Sequence, residues 1–598
     1  MDVVSGAAGR SGCVADRECD DGDACTADVC SAGHTCTHAP LRSVACRPSI
    51  EVSAPMRGAT LQGPKGATVA VEGVARTGTG AVRSLTLNGA DVPLGPNGEF
   101  AVEVDAQLGG NRLVLEATDA HGFSRRRVQS FVWSTEYVLP RSADDGAADP
   151  AFVVSLSGGL VDDGRRPRVP NDLAGIAAAT ITALPFTPYI DATTPVASSA
   201  GYDVLVGSVD KASAQVNLRL IDDGLHVEAS VLDVSGDLTF DCTTSSCALA
   251  GGDDVGRFGI ESIDLTADVE LAVAAGGRLD VEVTNLSTDI GALSLSSRGA
   301  WTDFLLGVAG PQISKTADEA LRTELSGEVS RGLAAGAPEV AAEVLVGLPS
   351  LGEDPAQVIG TRAFVTLSSL TVQGAPRSRA EATFRAAALS ARPAPPLPAD
   401  HLGIPARAGC DGSPDAPAIP GRAPAEAAIT DAALNQVLHA GWRAGWLKFA
   451  IAELGVEIEG LAAPTASDCH PGRALSVHIG DLAVTGADYQ AYVSLRLGLS
   501  VNVDVAGFSL SVTGVDSVTT ELSALRDVGL AQEAAWVSAL EAALSDRLST
   551  RLGHFAALAW PALEIAGHPE ISTALPTVVP TLSSPARRAG LTMVTGDL

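Results

Sequence analysis

The chain has 598 residues, 46 % hydrophobic and 19 % charged, with 71 acidic residues against 40 basic ones and a net charge of −31. That balance excludes a nucleic-acid partner, because Lys and Arg supply most of the affinity for phosphate backbones, and it weakens anionic membrane surfaces as electrostatic partners. No apolar run approaches the ~18–20 residues of a spanning helix, and the length sets a prior of about four domains.

Six of the ten cysteines fall at the start, at Cys13, Cys19, Cys25, Cys30, Cys36 and Cys46. So short a segment buries too little to fold alone, and residues 1–48 read as a disulfide-rich module. Zinc is the rival, but the cysteine spacings are five or more, with no CxxC pair, and His34 and His38 are the only nearby imidazoles. Disulfides imply an oxidising compartment: secreted, periplasmic or on the outer surface. Met1-Asp-Val-Val-Ser has neither the charged nor the apolar part of a signal peptide, so the chain reads as a processed or truncated exported form. Its core, Cys19-Asp-Asp-Gly-Asp-Ala-Cys25-Thr-Ala-Asp-Val-Cys30, resembles a CDDGxxCTxDxC repeat of slime-mould matrix and bacterial surface proteins. Asp20, Asp21 and Asp23 cluster as Ca²⁺ ligands do, yet no downstream bidentate Glu follows, and a solvated acidic turn is the preferred reading.

Residues 49–136 change to short alternating runs broken by Asn88-Gly89 and Asn97-Gly98, dipeptides that favour tight hairpins. Some seven strands in that span predict a β-sandwich. The segment resembles bacterial Ig-like modules, which implies a spacer or an adhesive surface.

From 137 onwards the sequence runs twice through helix, long alternating strands and longer helix. Helices are expected over 171–184, capped by Asn171, and over 429–445. Leu225-Val227-Ala229-Val231 pairs with Val216-Leu218-Leu220 across Asp223-Gly224. Ile263 to Val273 pairs with Leu279-Val281-Val283 across Gly276-Gly277, and 489–505 alternates throughout. These hairpins have an apolar face that something must cover. The expected cover is helical: Trp301, Phe304, Leu305 and Val308, then Leu321 and Leu325 beyond Pro311, and in the second round Trp536, Leu540 and Leu544.

Gly299-Ala-Trp301-Thr-Asp-Phe304-Leu305 entering a long helix, the Pro-rich crossing 391–407 before 429–451, and the closing Trp560-Pro561 with strand 590–594 resemble the bactericidal/permeability-increasing (BPI-like, TULIP) family of tubular lipid-binding proteins over 137–598. The resemblance implies an α+β fold of two barrels, each a curved antiparallel sheet around a long helix, at 137–350 and, with central-sheet strands, 351–598. It implies acyl chains held between helix and sheet, with Trp301, Phe304, Leu305, Val308, Leu321, Leu325, Leu434, Leu438, Trp536, Leu540 and Leu544 as lipid contacts. Three features depart from the family: the chain has no basic tip, residues 301–336 contain no cysteine, and Cys242–Cys247 would close only a local loop. Cys410 and Cys469 form the remaining candidate pair.

No HExxH, GxSxG or Walker pattern occurs, so neither catalytic residues, metal nor cofactor are expected. The function expected is non-enzymatic: an extracytoplasmic protein holding or transferring phospholipid or another acylated molecule, with peripheral membrane contact left open. The alternative is an adhesin-like surface protein acting through its N-terminal modules.

Overall fold

The structure, a computed structural model, describes residues 12–299, 315, 341–406, 419–467, 475–559 and 581–597, apart from short runs inside those spans. The first segment is held by Cys13–Cys30, Cys19–Cys36 and Cys25–Cys46, which close 17, 17 and 21 residues around the hairpin Thr26–Cys30/Cys36–Pro40. Its buried apolar groups are the cystines themselves, while Val14, Val29 and Leu41 are exposed. Loops of this length contribute about 3 kcal/mol each in the chain-entropy account. Asp20, Asp21 and Asp23 accept the backbone N–H groups of Gly22, Asp23 and Cys25, so the acidic turn is organised by its own main chain.

Residues 49–134 form two facing sheets. One orders Ala59–Gln62, Ser124–Ser134, Gly109–Asp119, Val82–Leu87 and Ala90–Val92; the other orders Ser49–Ala54, Thr68–Arg76 and Glu99–Asp105. Alternation sends Leu85, Leu113, Leu115 and Phe131 into the space between them. Asn88 and Gly89, at φ 51° and 85°, make the tight turn that the Asn-Gly step predicts.

This sandwich is docked on the C-terminal sheet rather than hung from it as a spacer. Arg57 places Nη1 2.6 Å from Asp481 Oδ1 and Nη2 3.0 Å from Glu521 Oε2, with its guanidinium over the Tyr492 ring. The same two carboxylates accept the backbone N–H groups of Ser130 and Val128. At Gly110 a Cβ would lie 2.1 Å from His478 Nδ1, so glycine permits the close approach of the two sheets.

Three further large antiparallel sheets and the short pair Tyr137–Val138/Ile404–Pro405 build the rest. The N-terminal sheet holds Ala197–Ser199, Tyr202–Asp210, Gly224–Cys242, Asp254–Val273 and Leu279–Ile290, with Ser213–Ile221 and Leu293–Ser297 alongside. The C-terminal sheet orders Lys448–Ile451, Val456–Gly460, Ser476–Gly486, Tyr489–Asp504, Gly507–Ala524 and Phe555–Ala559. Between them a central sheet runs Ala341–Pro349, Val358–Gln373, Arg379–Ser390, Ala148–Ser157, Ala425–Thr430, Leu591–Asp597. Ala148–Ser157 thus pairs on both sides with strands more than two hundred residues later, tying the two halves together.

The α+β expectation is corrected here: among the described residues the chain is mostly strand. Helices run 4, 11, 5 and 13 residues at Gly158–Val161, Leu173–Ala183, Ser245–Leu249 and Asp431–Arg443. Leu530–Arg551 has 22 residues but buries only the stripe Leu540, Leu544 and Leu548. The physical reason is that strands of 12–20 residues with a period of two carry the burial, and a leucine stripe at every fourth position marks one narrow contact rather than an organising helix. The segment expected to start at Trp301 lies outside the described residues. Helix Leu173–Ala183 is capped by Asp172, whose Oδ1 accepts Gly175 N–H at 2.6 Å, rather than by Asn171; helix Asp431–Arg443 is capped by Thr430.

Truncating Arg57 to Ala leaves Asp481 buried without its cation and Glu521 with Arg127 alone, and removing one partner of a buried pair costs about 3–5 kcal/mol. A lowered denaturant midpoint, together with faster hydrogen exchange along 124–134 and 476–486, is the expected outcome.

Candidate functional site

The candidate site is the inner face of the N-terminal sheet. Register aligns its apolar residues in rows: Ala214, Val231, Ile263 and Ile290; Val216, Ala229 and Leu265; Leu218, Val227 and Ala267; Leu220, Leu225, Val269 and Val283. Directly opposed residues share a face, so the rows make one continuous hydrocarbon surface. The other face is polar: His226 Nδ1 lies 2.6 Å from Asp268, Asn217 donates to Glu228, and Ser230 to Asp264. The Asp268 carboxyl is held below its ordinary range by hydrogen bonds from Asn285 and then His226.

Coverage of the apolar face is graded. The Ser213–Ile221 end, beside the Leu173–Ala183 helix, is buried at Ala214, Val216 and Leu220. Across the next strands Val227, Ala229, Val231, Ile263, Leu265, Leu271, Val281 and Val283 are half-buried. At the seam with the central sheet a cleft of about 1060 Å³ has an apolar floor of Leu271, Val273, Val281 and Leu370. Its rim includes Asp223, Glu270, Arg278 and Asp280. The hairpin turn beside it docks through Gly277, at φ 79°, where a Cβ would strike Thr366 and Leu367.

The C-terminal sheet carries the same alternation with the opposite outcome. Val493, Leu495 and Leu497 are 0–2 % exposed and join Leu540, Leu544, Leu548 and Leu552 in one sealed core. Four of the expected lipid contacts, Leu434, Leu438, Leu540 and Leu544, belong to that core. Trp536 is part-buried and stacks on Tyr489 at 5.1 Å. Trp301, Phe304, Leu305, Val308, Leu321 and Leu325 lie outside the described residues, as do Cys410 and Cys469. Cys242 and Cys247 are joined across a five-residue separation. The half-buried rows were visible as period-two alternation, but sequence reasoning assigned the ligand contacts to the helices that were to cover them.

Trp442 and Trp446 anchor main chain, donating Nε1–H to Gly460 O at 2.7 Å and Pro349 O at 3.0 Å. His401, His439 and Trp442 form a ring cluster beside a void of about 10 Å³, room for a single water. Beside the disulfide-bonded Cys13/Cys19/Cys30, two groups bring three metal-capable ligand atoms within 4.8 Å, Asp21/Asp28/His38 and Asp162/Asp163/Asp172. Both are engaged in turn chemistry: Asp28 with His38 at 2.6 Å, Asp162 with Gly164 N–H, and Asp172 with Asp163 N–H and the helix cap.

No family model matches the chain, and no curated protein matches it in sequence. Solved structures with a similar chain path include lipopolysaccharide binding protein, at 12 % identity and TM-score 0.36, covering 75 % of this chain and 98 % of that one. P47 from Clostridium botulinum A2 covers the same shares at 8 % identity and TM-score 0.27. The fibronectin(III)-like modules of Clostridium thermocellum CbhA match 18 % of this chain and 60 % of theirs at 12 % identity and TM-score 0.13.

His439 and His478 are pushed down to about 3, by burial first, then by His401 and Arg443 for the former and Arg496 and Arg112 for the latter. The unfolded chain takes up these protons near pH 6.5, so stability is fully present above that value and falls as pH drops towards 3, by about 1.4 kcal/mol per unit for each histidine. Urea midpoints measured from about pH 7.5 to 5 should decline accordingly, and His478→Gln should flatten the slope.

Proposed function

We propose that this chain is an extracytoplasmic, non-enzymatic lipid-binding protein that holds the acyl chains of a phospholipid or another acylated molecule against the inner face of its N-terminal sheet. The observation that carries the reading is the half-buried hydrocarbon surface from Val227 to Val283, set beside a C-terminal sheet whose matching face is sealed. Branched and small aliphatics with few polar groups suit flexible hydrocarbon, for which each buried CH₂ is worth about 0.8 kcal/mol. The adjoining cleft, near 1060 Å³, is at the upper end of ligand-pocket volumes and gives a headgroup a polar rim. Four disulfides support an oxidising compartment, and among the described residues no helix is long and apolar enough to cross a membrane. Holding a lipid in this way makes and breaks no bond.

The test is native mass spectrometry of detergent-free protein after incubation with phosphatidylcholine vesicles. Wild type is expected to carry acyl lipid. Val227→Gln with Leu265→Gln should lower occupancy at least ~tenfold, as two polar groups on the hydrocarbon face would require. Leu495→Ala should cost ~2–5 kcal/mol of stability yet keep the lipid. Uptake that is absent in wild type, or indifferent to the first pair, would overturn the reading.

A further inference from the structure

The disulfide-rich module holds two imidazoles, and they are engaged differently. His34 is tied to main chain, its Nδ1 lying 2.8 Å from Cys13 O. His38 instead meets two carboxylates on one nitrogen: its Nδ1 lies 2.6 Å from Asp28 Oδ1 and 3.2 Å from Asp21 Oδ2. A ring nitrogen carries at most one proton, which serves one of these oxygens well and not both. The three atoms lie within 4.8 Å of one another, close enough for a single cation to join them. Each carboxylate is turned toward this point by an outer donor. Asp21 gives its other oxygen, Oδ1, to the Thr26 hydroxyl at 2.9 Å and to the N–H of Asp23, and Asp28 gives Oδ2 to the N–H of Asp21. Covalent bonds fix the backbone behind them. Asp21 and His38 stand two residues after Cys19 and Cys36, which are joined to each other, and Asp28 stands two residues before Cys30, which is joined to Cys13. Asp28 and His38 also face each other directly across the hairpin.

Ligands oriented by an outer shell and anchored on a rigid frame are what a preorganised metal site requires. His226 supplies the contrast. It too meets two carboxylates, but Asp268 lies against Nδ1 and Glu228 against Nε2, so they converge on no common point. We infer that Asp21, Asp28 and His38 form a binding site for a divalent transition-metal ion of the Zn²⁺ kind on the disulfide-rich module. Two carboxylates neutralise the dication, and the imidazole selects it over Ca²⁺, which takes oxygen ligands. The ion takes the place of the Nδ1 proton, which leaves to solvent. Donors around a tetrahedral Zn²⁺ stand about 3.3 Å apart, so the Asp21–His38 spacing already fits, and Asp28 withdraws by several tenths of an ångström. The three side chains are 33, 14 and 35 % exposed, which leaves the fourth position open to water or to a donor from another molecule. The cystine sulfurs are bonded to one another and take no part. The site is independent of the apolar face of the N-terminal sheet and of what that face holds.

Calorimetry with zinc chloride on the full, disulfide-intact chain, against calcium chloride at matched ionic strength, tests this. One saturable Zn²⁺ site per chain is expected, at least ~tenfold tighter than Ca²⁺, a difference of about 1.4 kcal/mol. Asp28→Asn and His38→Gln should each weaken it at least ~hundredfold, and Thr26→Val, which removes only an outer donor, about tenfold. His226→Gln should leave it unchanged. X-ray absorption of the zinc-loaded wild type should show a first shell of nitrogen and oxygen at about 2.0–2.1 Å, whereas sulfur at about 2.3 Å would place the metal on reduced cysteines and overturn the site. That spectrum needs no variant, so it decides the question even where a substitution fails to fold. No saturable binding, Ca²⁺ bound as tightly as Zn²⁺, or equal affinity in wild type and the two ligand variants also overturns it.

Discussion

An antiparallel sheet that is apolar on one face must lay that face against something, and the long strands of this chain impose the demand twice. In the C-terminal sheet it is met within the described chain: Val493, Leu495 and Leu497 sit in one core with Leu540, Leu544 and Leu548, all at 0–2 % exposure. Close-packed interiors leave little room for hydrocarbon guests, so that face is filled by the chain's own side chains. In the N-terminal sheet burial is complete beside the Leu173–Ala183 helix, at Ala267 and Val269 and in the Tyr202–Val204–Leu238–Phe240 cluster, but only partial across Ala229, Leu265 and Val283. One sequence pattern therefore yields a filled core on one side and a half-buried hydrocarbon surface on the other.

The seam obeys a different constraint. A carboxylate taken out of water must be paired or hydrogen-bonded, and Asp481, fully buried at its side chain, is raised by that burial even with Arg57 against it. Arg57 and the backbone N–H of Ser130 meet that need from the sandwich side. The sandwich is thus fixed in place by charges that neither sheet could bury alone.

Much of this was legible in the sequence, to different depths. The alternating runs at 225–231, 263–273 and 489–505 and the turns at Asp223-Gly224, Gly276-Gly277 and Asn88-Gly89 are local signals, and they fall within or between the longer strands Gly224–Cys242, Asp254–Val273 and Tyr489–Asp504 and at the turns found. Six closely spaced cysteines announced a disulfide module, but connectivity is a matter of three-dimensional approach and could not be read. The weight given to helices was misplaced, because helix-on-sheet packing and a ligand-facing stripe produce the same spacing in sequence. Arg57, Arg112, Asp481 and Glu521 carried no signal at all: Arg57 sits in the turn before Ala59–Gln62 and the others on strands, and their meaning arises only where two sheets hundreds of residues apart are brought face to face.

The charge of the chain connects these features. A half-buried apolar face is a liability for self-association, and strong net charge of one sign keeps copies apart. Here the polar side of the N-terminal sheet supplies part of that charge through Glu228, Asp264, Asp268, Glu270 and Glu282, on the same strands whose other side is hydrocarbon. The alternation that builds the apolar face thus also builds the acidic one, and neither can be changed without shifting the other. Acidic surroundings repel anionic bilayers. An acyl ligand held on the inner face, as proposed, would therefore match neutral or zwitterionic lipid better than anionic lipid.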